Sequence, residues 1–117
     1  MDEIQVIQKP ITKKKLKEIA KEGFVYLVKA VVDIEKEIMA IGGELHADEE
    51  VFLMENFNSK REYTWGINLY VDKTRAEMIE YDSMINLKPY HNNRSRSVED
   101  KNIQKKIVEI INKLILE

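Results

Sequence analysis

Residues 63–90 hold two long alternating stretches, and these restrict the fold more than any other feature of the chain. The first sets Trp65, Ile67, Leu69 and Val71 on one face and Thr64, Gly66, Asn68 and Tyr70 on the other. In the second, Ile79, Tyr81, Ile85 and Leu87 share a face with Ser83, while Glu80, Asp82, Met84, Asn86 and Lys88 point the opposite way. A period of two is the pattern of half-buried antiparallel strands. The polar link at 72–77 joins them into a hairpin. Matching both apolar faces to one core pairs odd residues with odd. The simplest such register sets Asn68 opposite Asp82, Thr64 near Asn86 and Gly66 near Met84. Gly66 then leaves an open spot on the polar face, as strand glycines do.

Around this hairpin the chain reads strand, helix, hairpin, helix, hairpin, helix. Residues 4–8 form a short edge strand ended by Pro10, and Thr12 is a good N-cap for a helix that stops near Gly23. In 24–43, Val28, Ala30, Val32 and Ile34 alternate with Lys29, Val31, Asp33 and Glu35. The β-branched run favours a hairpin turning at Glu35-Lys36-Glu37; the rival reading continues the first helix through Leu27, Val31 and Ile34. On the hairpin reading Val31, Met39, Ile41 and Met84 share the polar face, so part of that face is covered. After Gly42 and Gly43, Asp48, Glu49 and Glu50 suit the first turn of a short helix. Ser97-Val98-Glu99-Asp100 reads as a capping box for the last helix. That helix buries Val98, Ile103, Ile107, Ile110, Ile111, Leu114 and Ile115 and exposes Lys101, Lys105, Lys106 and Lys113.

The expected fold is therefore α+β: residues 1–117 as a single domain, a mostly antiparallel four- or five-stranded sheet and three helices on one face or at the ends of the sheet. A length of 117 residues suits one core, and 44% hydrophobic residues are enough to fill it. No run approaches the ~20 apolar residues of a membrane span, and residues 1–10 lack the basic start and apolar core of a signal peptide, so no membrane partner is expected. The chain has no cysteine, which removes disulfides and thiolate chemistry and fits a cytoplasmic setting. A net charge of −2 with mixed signs gives no global field for nucleic acid, which is disfavoured as a partner.

Four strings, G-G-E-L-H-A-D-E-E, W-G-I-N-L-Y, Y-D-S-M-I-N and N-R-S-R-S-V-E-D, resemble those of a family of small prokaryotic proteins of unknown function, from about Leu16 onward. The resemblance implies a stand-alone, cytosolic domain. It implies no activity, ligand or catalytic residue.

The residues that carry chemistry converge on the second strand and the loop after it. Arg94 and Arg96 flank Ser95 just before the expected helix start at Ser97, where guanidinium forks and free N–H groups suit phosphate, sulfate or carboxylate. Asp82, Asn86 and Asn68 lie on the adjoining strand face, and Glu44 and His46 border it. The leading expectation is a binding module for a small anionic ligand at Arg94 and Arg96, with no cofactor. Internal pairing of those arginines with Asp82, Glu99, Asp100 or Glu44 is the plain alternative. A metal-assisted or acid–base hydrolase or nuclease using His46, Asp48, Asp82 and the two arginines is a second class of function. Glu44, His46 and Asp48 would share one side only in extended backbone, and no established ligand spacing is present, so metal binding is disfavoured. A protein-interaction domain or homodimer, meeting through a strand edge or the sheet face, is the third.

Overall fold

The computed structural model describes residues 3–117. Five strands form one antiparallel sheet: β1 (Gln5–Ile7), β3 (Leu27–Asp33), β4 (Ile38–Ile41), β5 (Thr64–Tyr70) and β6 (Ile79–Glu80), in the spatial order β1-β4-β3-β5-β6. β2 (Ile11–Thr12) and β7 (Ile115–Leu116) make a small parallel pair that the sequence pattern does not reveal. Three helices, α1 (Lys13–Lys21), α2 (His46–Phe57) and α3 (Lys101–Leu114), complete the α+β domain.

The alternation within each strand decides the layers. Val28, Ala30, Val32, Trp65, Ile67 and Leu69 face α1 and α3, and meet Leu16, Ala20, Ile107 and Ile110 in the main core. Val31, Ile38, Ala40 and Ile85 face the other way and pack on Leu53 of α2. Helices thus cover both faces, where helices on one face or at the ends were expected. The cause is apolar content on the second face, which only a third layer can bury. Met39 and Ile41 sit opposite Val32 and Ala30, so they belong to the main core and not to the polar face. Ile85 goes to the α2 side, and Ile79 and Tyr81 are half-buried at the margin of the main core.

Local chemistry explains most boundaries. Thr12 caps α1 by accepting from the Lys15 N–H at 3.0 Å. The 27–41 segment is a hairpin, and Asp33 Oδ1 accepts from the N–H groups of Glu35 and Lys36 at 2.9 and 3.0 Å to close its turn. Lys106 and Lys113 clamp Glu37 at 3.1 and 2.8 Å, tying that turn to α3. Asn58, at φ 55°, ends α2 in the left-handed conformation.

Two further expectations fail. The second strand of the central hairpin spans only Ile79–Glu80, with Asn68 opposite Glu80 instead of Asp82. The odd-to-odd parity holds, but the chain then leaves the sheet. Ser83 packs over Gly66, and a Cβ built on Gly66 would lie 2.6 Å from Ser83 Cβ. The last helix starts at Lys101 with Asp100 as its cap, not at Ser97. Asn93 is the reason: its Nδ2 donates to the carbonyls of Asn86 and Ser97 at 2.7 and 2.6 Å, and its Oδ1 accepts from the Glu99 N–H at 2.9 Å. Those bonds hold 93–99 out of the helix.

Candidate functional site

Register brings the polar groups together. Lys29 on β3 and Glu80 on β6 flank Asn68 on β5, and all three point toward the layer of α2. The first residue of α2, His46, is buried over the sheet, and its Nε2 lies 2.8 Å from the Ile67 carbonyl. A carbonyl only accepts, so Nε2 carries the hydrogen and the Nδ1 of a neutral ring is left as an acceptor. Burial pushes the His46 pKa below its ordinary value, and the Lys29 charge adds to that. The Ile67 carbonyl pulls the other way more than Lys29 adds, with smaller contributions from the Asp82 carboxylate and the Asn68 amide. The imidazole is therefore neutral at pH 7.

Asn68 is only 9% exposed. Its Nδ2 donates to Glu80 Oε1 at 2.9 Å and reaches the Asp82 carbonyl at 3.4 Å. Its Oδ1 is buried beside the His46 ring, with no partner in hydrogen-bonding geometry among the described residues. Tyr70 also donates to Glu80 Oε1, at 3.0 Å, and the bond to that carboxylate raises the phenol pKa. Arg96 Nε donates to Asp82 Oδ1 at 2.7 Å, with both side chains about half exposed. An ion pair so open to solvent contributes at most ~1 kcal/mol. Arg96 is placed by its backbone: its carbonyl accepts from the Ser83 N–H at 3.0 Å and from Asn86 Nδ2 at 2.9 Å.

The structure thus gathers His46, Asn68, Asp82 and Arg96 on one margin of the sheet. Asn86 is fully buried and holds backbone, so it positions the site and does not face it. Arg94 is exposed and its backbone N–H donates to Glu99 Oε2 at 3.1 Å. Neither arginine lies at a helix start, because α3 begins five residues after Arg96. Glu44 is exposed and lies before α2, whereas His46 and Asp48 lie inside its first turn, so the extended spacing imagined for those three does not exist. Asp48 and Glu49 stand in the first turn of α2 as expected, and Leu45 occupies the cap position without a side-chain bond. Asp33 lies at the far end of β3, away from this margin, where its Oδ1 closes the turn.

Sequence reasoning missed Lys29, Glu80 and Lys88 as participants. The alternation of β3 already placed Lys29 on the polar face. It also missed a cleft of about 900 Å³ between the C-terminal half of α1, the start of β3 and residues 42–44. Ile19, Phe24 and Leu27 line it, and Lys29 and Glu44 connect its wall to the His46 margin. At the opposite end of β5, Lys88 is 3% exposed. Its Nζ donates to the carbonyls of Arg61 and Thr64 and stands 4.1 Å from the centroid of the Trp65 ring. Burial lowers its pKa to about 8.

Residues 5–114 match the family described as Protein of unknown function (DUF5674). The chain belongs to this family. The match spans every element from β1 through α3 of the domain described above. No curated protein and no solved structure matches the chain. Among the described residues, no helix of this DUF5674 chain is long and apolar enough to cross a membrane, and no three His, Cys, Asp or Glu side chains converge on one point.

Proposed function

We propose that this domain is a cytosolic binding module for a small ligand that carries a carboxylate or phosphate group. Arg96 receives the anion, and Asn68 and His46 read a neighbouring hydroxyl or amine. The observation that carries this reading is the buried, unpartnered Oδ1 of Asn68. A buried acceptor left alone costs about 1–3 kcal/mol, and a ligand donor would offset it. Arg96 supports the reading, since it meets Asp82 through Nε and keeps its two terminal nitrogens available for a second oxyanion. Arg94 contributes charge from the same loop.

The test is thermal unfolding with phosphate, sulfate and small hydroxy-carboxylates, against chloride at matched ionic strength. Protection by one of these anions is expected, by linkage of ligand to the native state. Arg96→Gln and Asn68→Ala should each abolish it, while Arg94→Ala weakens it. Equal shifts in wild type and Arg96→Gln reject the site.

Acid–base hydrolysis is the second reading, and one observation favours it. His46 is held neutral with Nε2–H fixed on Ile67, which leaves Nδ1 able to accept a proton near the Asp82 charge. Turnover of model esters or phosphoesters that disappears in His46→Gln would promote it over simple binding.

A further inference from the structure

The segment between α1 and β3 contains a strained turn. Val25 has φ 72°, a region in which a β-branched residue is an outlier. The Tyr26 N–H donates to the Phe24 carbonyl at 2.8 Å across it. Val25 is thus the centre of a three-residue turn of the rare, strained hand. Strain of this kind persists only where neighbouring contacts enforce it. Here the Val25 N–H donates to the Ala20 carbonyl at 2.8 Å, and the Tyr26 carbonyl accepts from the Val71 N–H at 3.1 Å. The result is display. Phe24, Val25 and Tyr26 are 44%, 50% and 71% exposed, three consecutive apolar side chains facing water.

A collar of lysines surrounds this tip. The Lys29 ammonium stands 5.0 Å from the centroid of the Phe24 ring, and that of Lys73 stands 4.5 Å from the Tyr70 ring. Tyr70 is opposite Leu27 in the sheet, directly beside the tip. α1 runs into the tip and carries five lysines against one glutamate. Lys13 Nζ donates to the Lys73 carbonyl at 2.8 Å and Lys17 approaches Asp72 at 3.6 Å. Helix, tip and the 70–73 turn therefore form one surface. Its acids are largely engaged: Glu18 lies 4.0 Å from Lys15, Asp72 is the partner of Lys17, Glu80 accepts from the Tyr70 hydroxyl and Glu77 from that of Thr74, and Glu3, Glu22 and Glu44 line the cleft.

We propose that this end of the molecule docks reversibly on an anionic lipid surface. Phe24, Val25 and Tyr26 enter the headgroup region, and the lysines of α1, with Lys29 and Lys73, meet the lipid phosphates. Aromatic side chains favour that interface, and lysine stems lie along apolar surface while the ammonium reaches a phosphate. Single-stranded nucleic acid fits less well. The tip is centred on an aliphatic side chain, which offers a base no π face, and the Phe24 and Tyr70 rings already carry ammonium groups. Such docking needs no spanning segment and weakens with salt.

Co-sedimentation with vesicles tests this. The probes are a two-to-one mixture of phosphatidylcholine and phosphatidylglycerol, and phosphatidylcholine alone. At low salt, roughly fivefold or more protein should sediment with the anionic vesicles than with the neutral ones, and high salt should remove the difference. Val25→Gly deletes the apolar centre while relieving the positive φ, so it keeps the fold and its melting temperature does not fall. It should lose most vesicle binding, as should Phe24→Ser with Tyr26→Ser, and Lys14→Glu with Lys21→Glu. No sedimentation, equal sedimentation with neutral vesicles, or binding unchanged in all three variants overturns the proposal. So does retention of a single-stranded oligothymidylate in place of vesicles, which assigns the surface to nucleic acid. A dimer in solution that Val25→Gly dissolves overturns it too, in favour of self-association.

Discussion

The side-chain amide of Asn86 pairs with the backbone of Gly66 at both of its polar groups. The Gly66 N–H donates to Asn86 Oδ1 at 2.8 Å, and Asn86 Nδ2 donates to the Gly66 carbonyl at 2.9 Å. An amide side chain here does what a further residue pair of the β5–β6 ladder would do. The outer edge of β5 is finished in sequence by β6, by Asn86, and by the Lys88 ammonium on the Thr64 carbonyl. This closes a sheet edge without a long strand.

Replacing Asn86 by Ala should therefore strand two buried backbone groups. The Arg96 carbonyl keeps its bond from Ser83, so the loss at Gly66 dominates and should amount to about 2–4 kcal/mol. Asn86→Asp should cost at least as much at pH 7, since a carboxylate then faces the carbonyls of Gly66 and Arg96. On acidification its carboxyl regains a proton to donate, and its deficit should narrow. Urea denaturation at two pH values checks both. A change under ~0.5 kcal/mol for Asn86→Ala would mean the pairing is incidental.

His46 should make the fold acid-sensitive. Its folded pKa lies below the ordinary 6.5 because burial opposes the charged ring. Below pH 6.5 the unfolded chain takes up a proton that the folded chain refuses, so stability is full above 6.5 and falls as pH drops toward the folded value. His46→Gln should flatten that part of the stability profile. Titration of the ring by NMR should give a midpoint under 6.5; a midpoint above it would contradict the burial and the assigned tautomer.

Lys88 should act in the alkaline range. Its folded pKa of about 8 lies below the ordinary 10.5. Between these values the unfolded chain binds a proton that the folded chain has lost, so stability should rise as pH goes from about 8 toward 10. The gain at Lys88 is at most roughly 3 kcal/mol. Above pH 10 the raised pKa values of Tyr70 and Tyr81 work against it. Lys88→Met keeps the apolar stem over Trp65 and should abolish the rising limb. An identical slope in wild type and Lys88→Met would show that the amine is hydrated in the fold.

The parts legible in the sequence are those set by neighbours in the chain. The alternation of 64–71 and 27–33, the Thr12 cap and the spacing of Ile107, Ile110, Ile111 and Leu114 each needed only a few consecutive residues. The second half of the central hairpin was illegible because distant side chains replace it. Asn86 and Lys88 look like outward-facing strand residues until their partners at Gly66, Arg61 and Thr64 are known. The start of α3, read at Ser97, was misplaced for a similar reason. Ser97 and Asp100 both have cap side chains, and Asn93 decides between them, through bonds that reach from 86 to 99. At the site, sequence placed Asn68, Asp82 and Arg96 in one region but promised a helix N-terminus that is absent. His46 was noticed for its neighbours in sequence, whereas its contact is Ile67, across the sheet.

Gly66 offers the sharpest steric test of this edge. A Cβ there would lie 2.6 Å from Cβ and Oγ of Ser83 and 3.1 Å from Ile85 Cγ1. Ser83 cannot simply retreat, because its N–H donates to the Arg96 carbonyl and its hydroxyl accepts from the Ile85 N–H at 3.3 Å. Gly66→Ala should then push the 83–86 turn off the sheet and lengthen the Asn86 bonds, costing about 1–3 kcal/mol. Ser83→Gly alone should cost less, through the lost cap and added backbone freedom. In the double variant the methyl occupies the space the Ser83 side chain leaves. Its loss should be smaller than the sum of the two single losses by roughly 1 kcal/mol or more, as expected for residues in contact. Strict additivity in chemical denaturation would show that Gly66 and Ser83 do not touch, and that β6 continues past Glu80 as an ordinary strand.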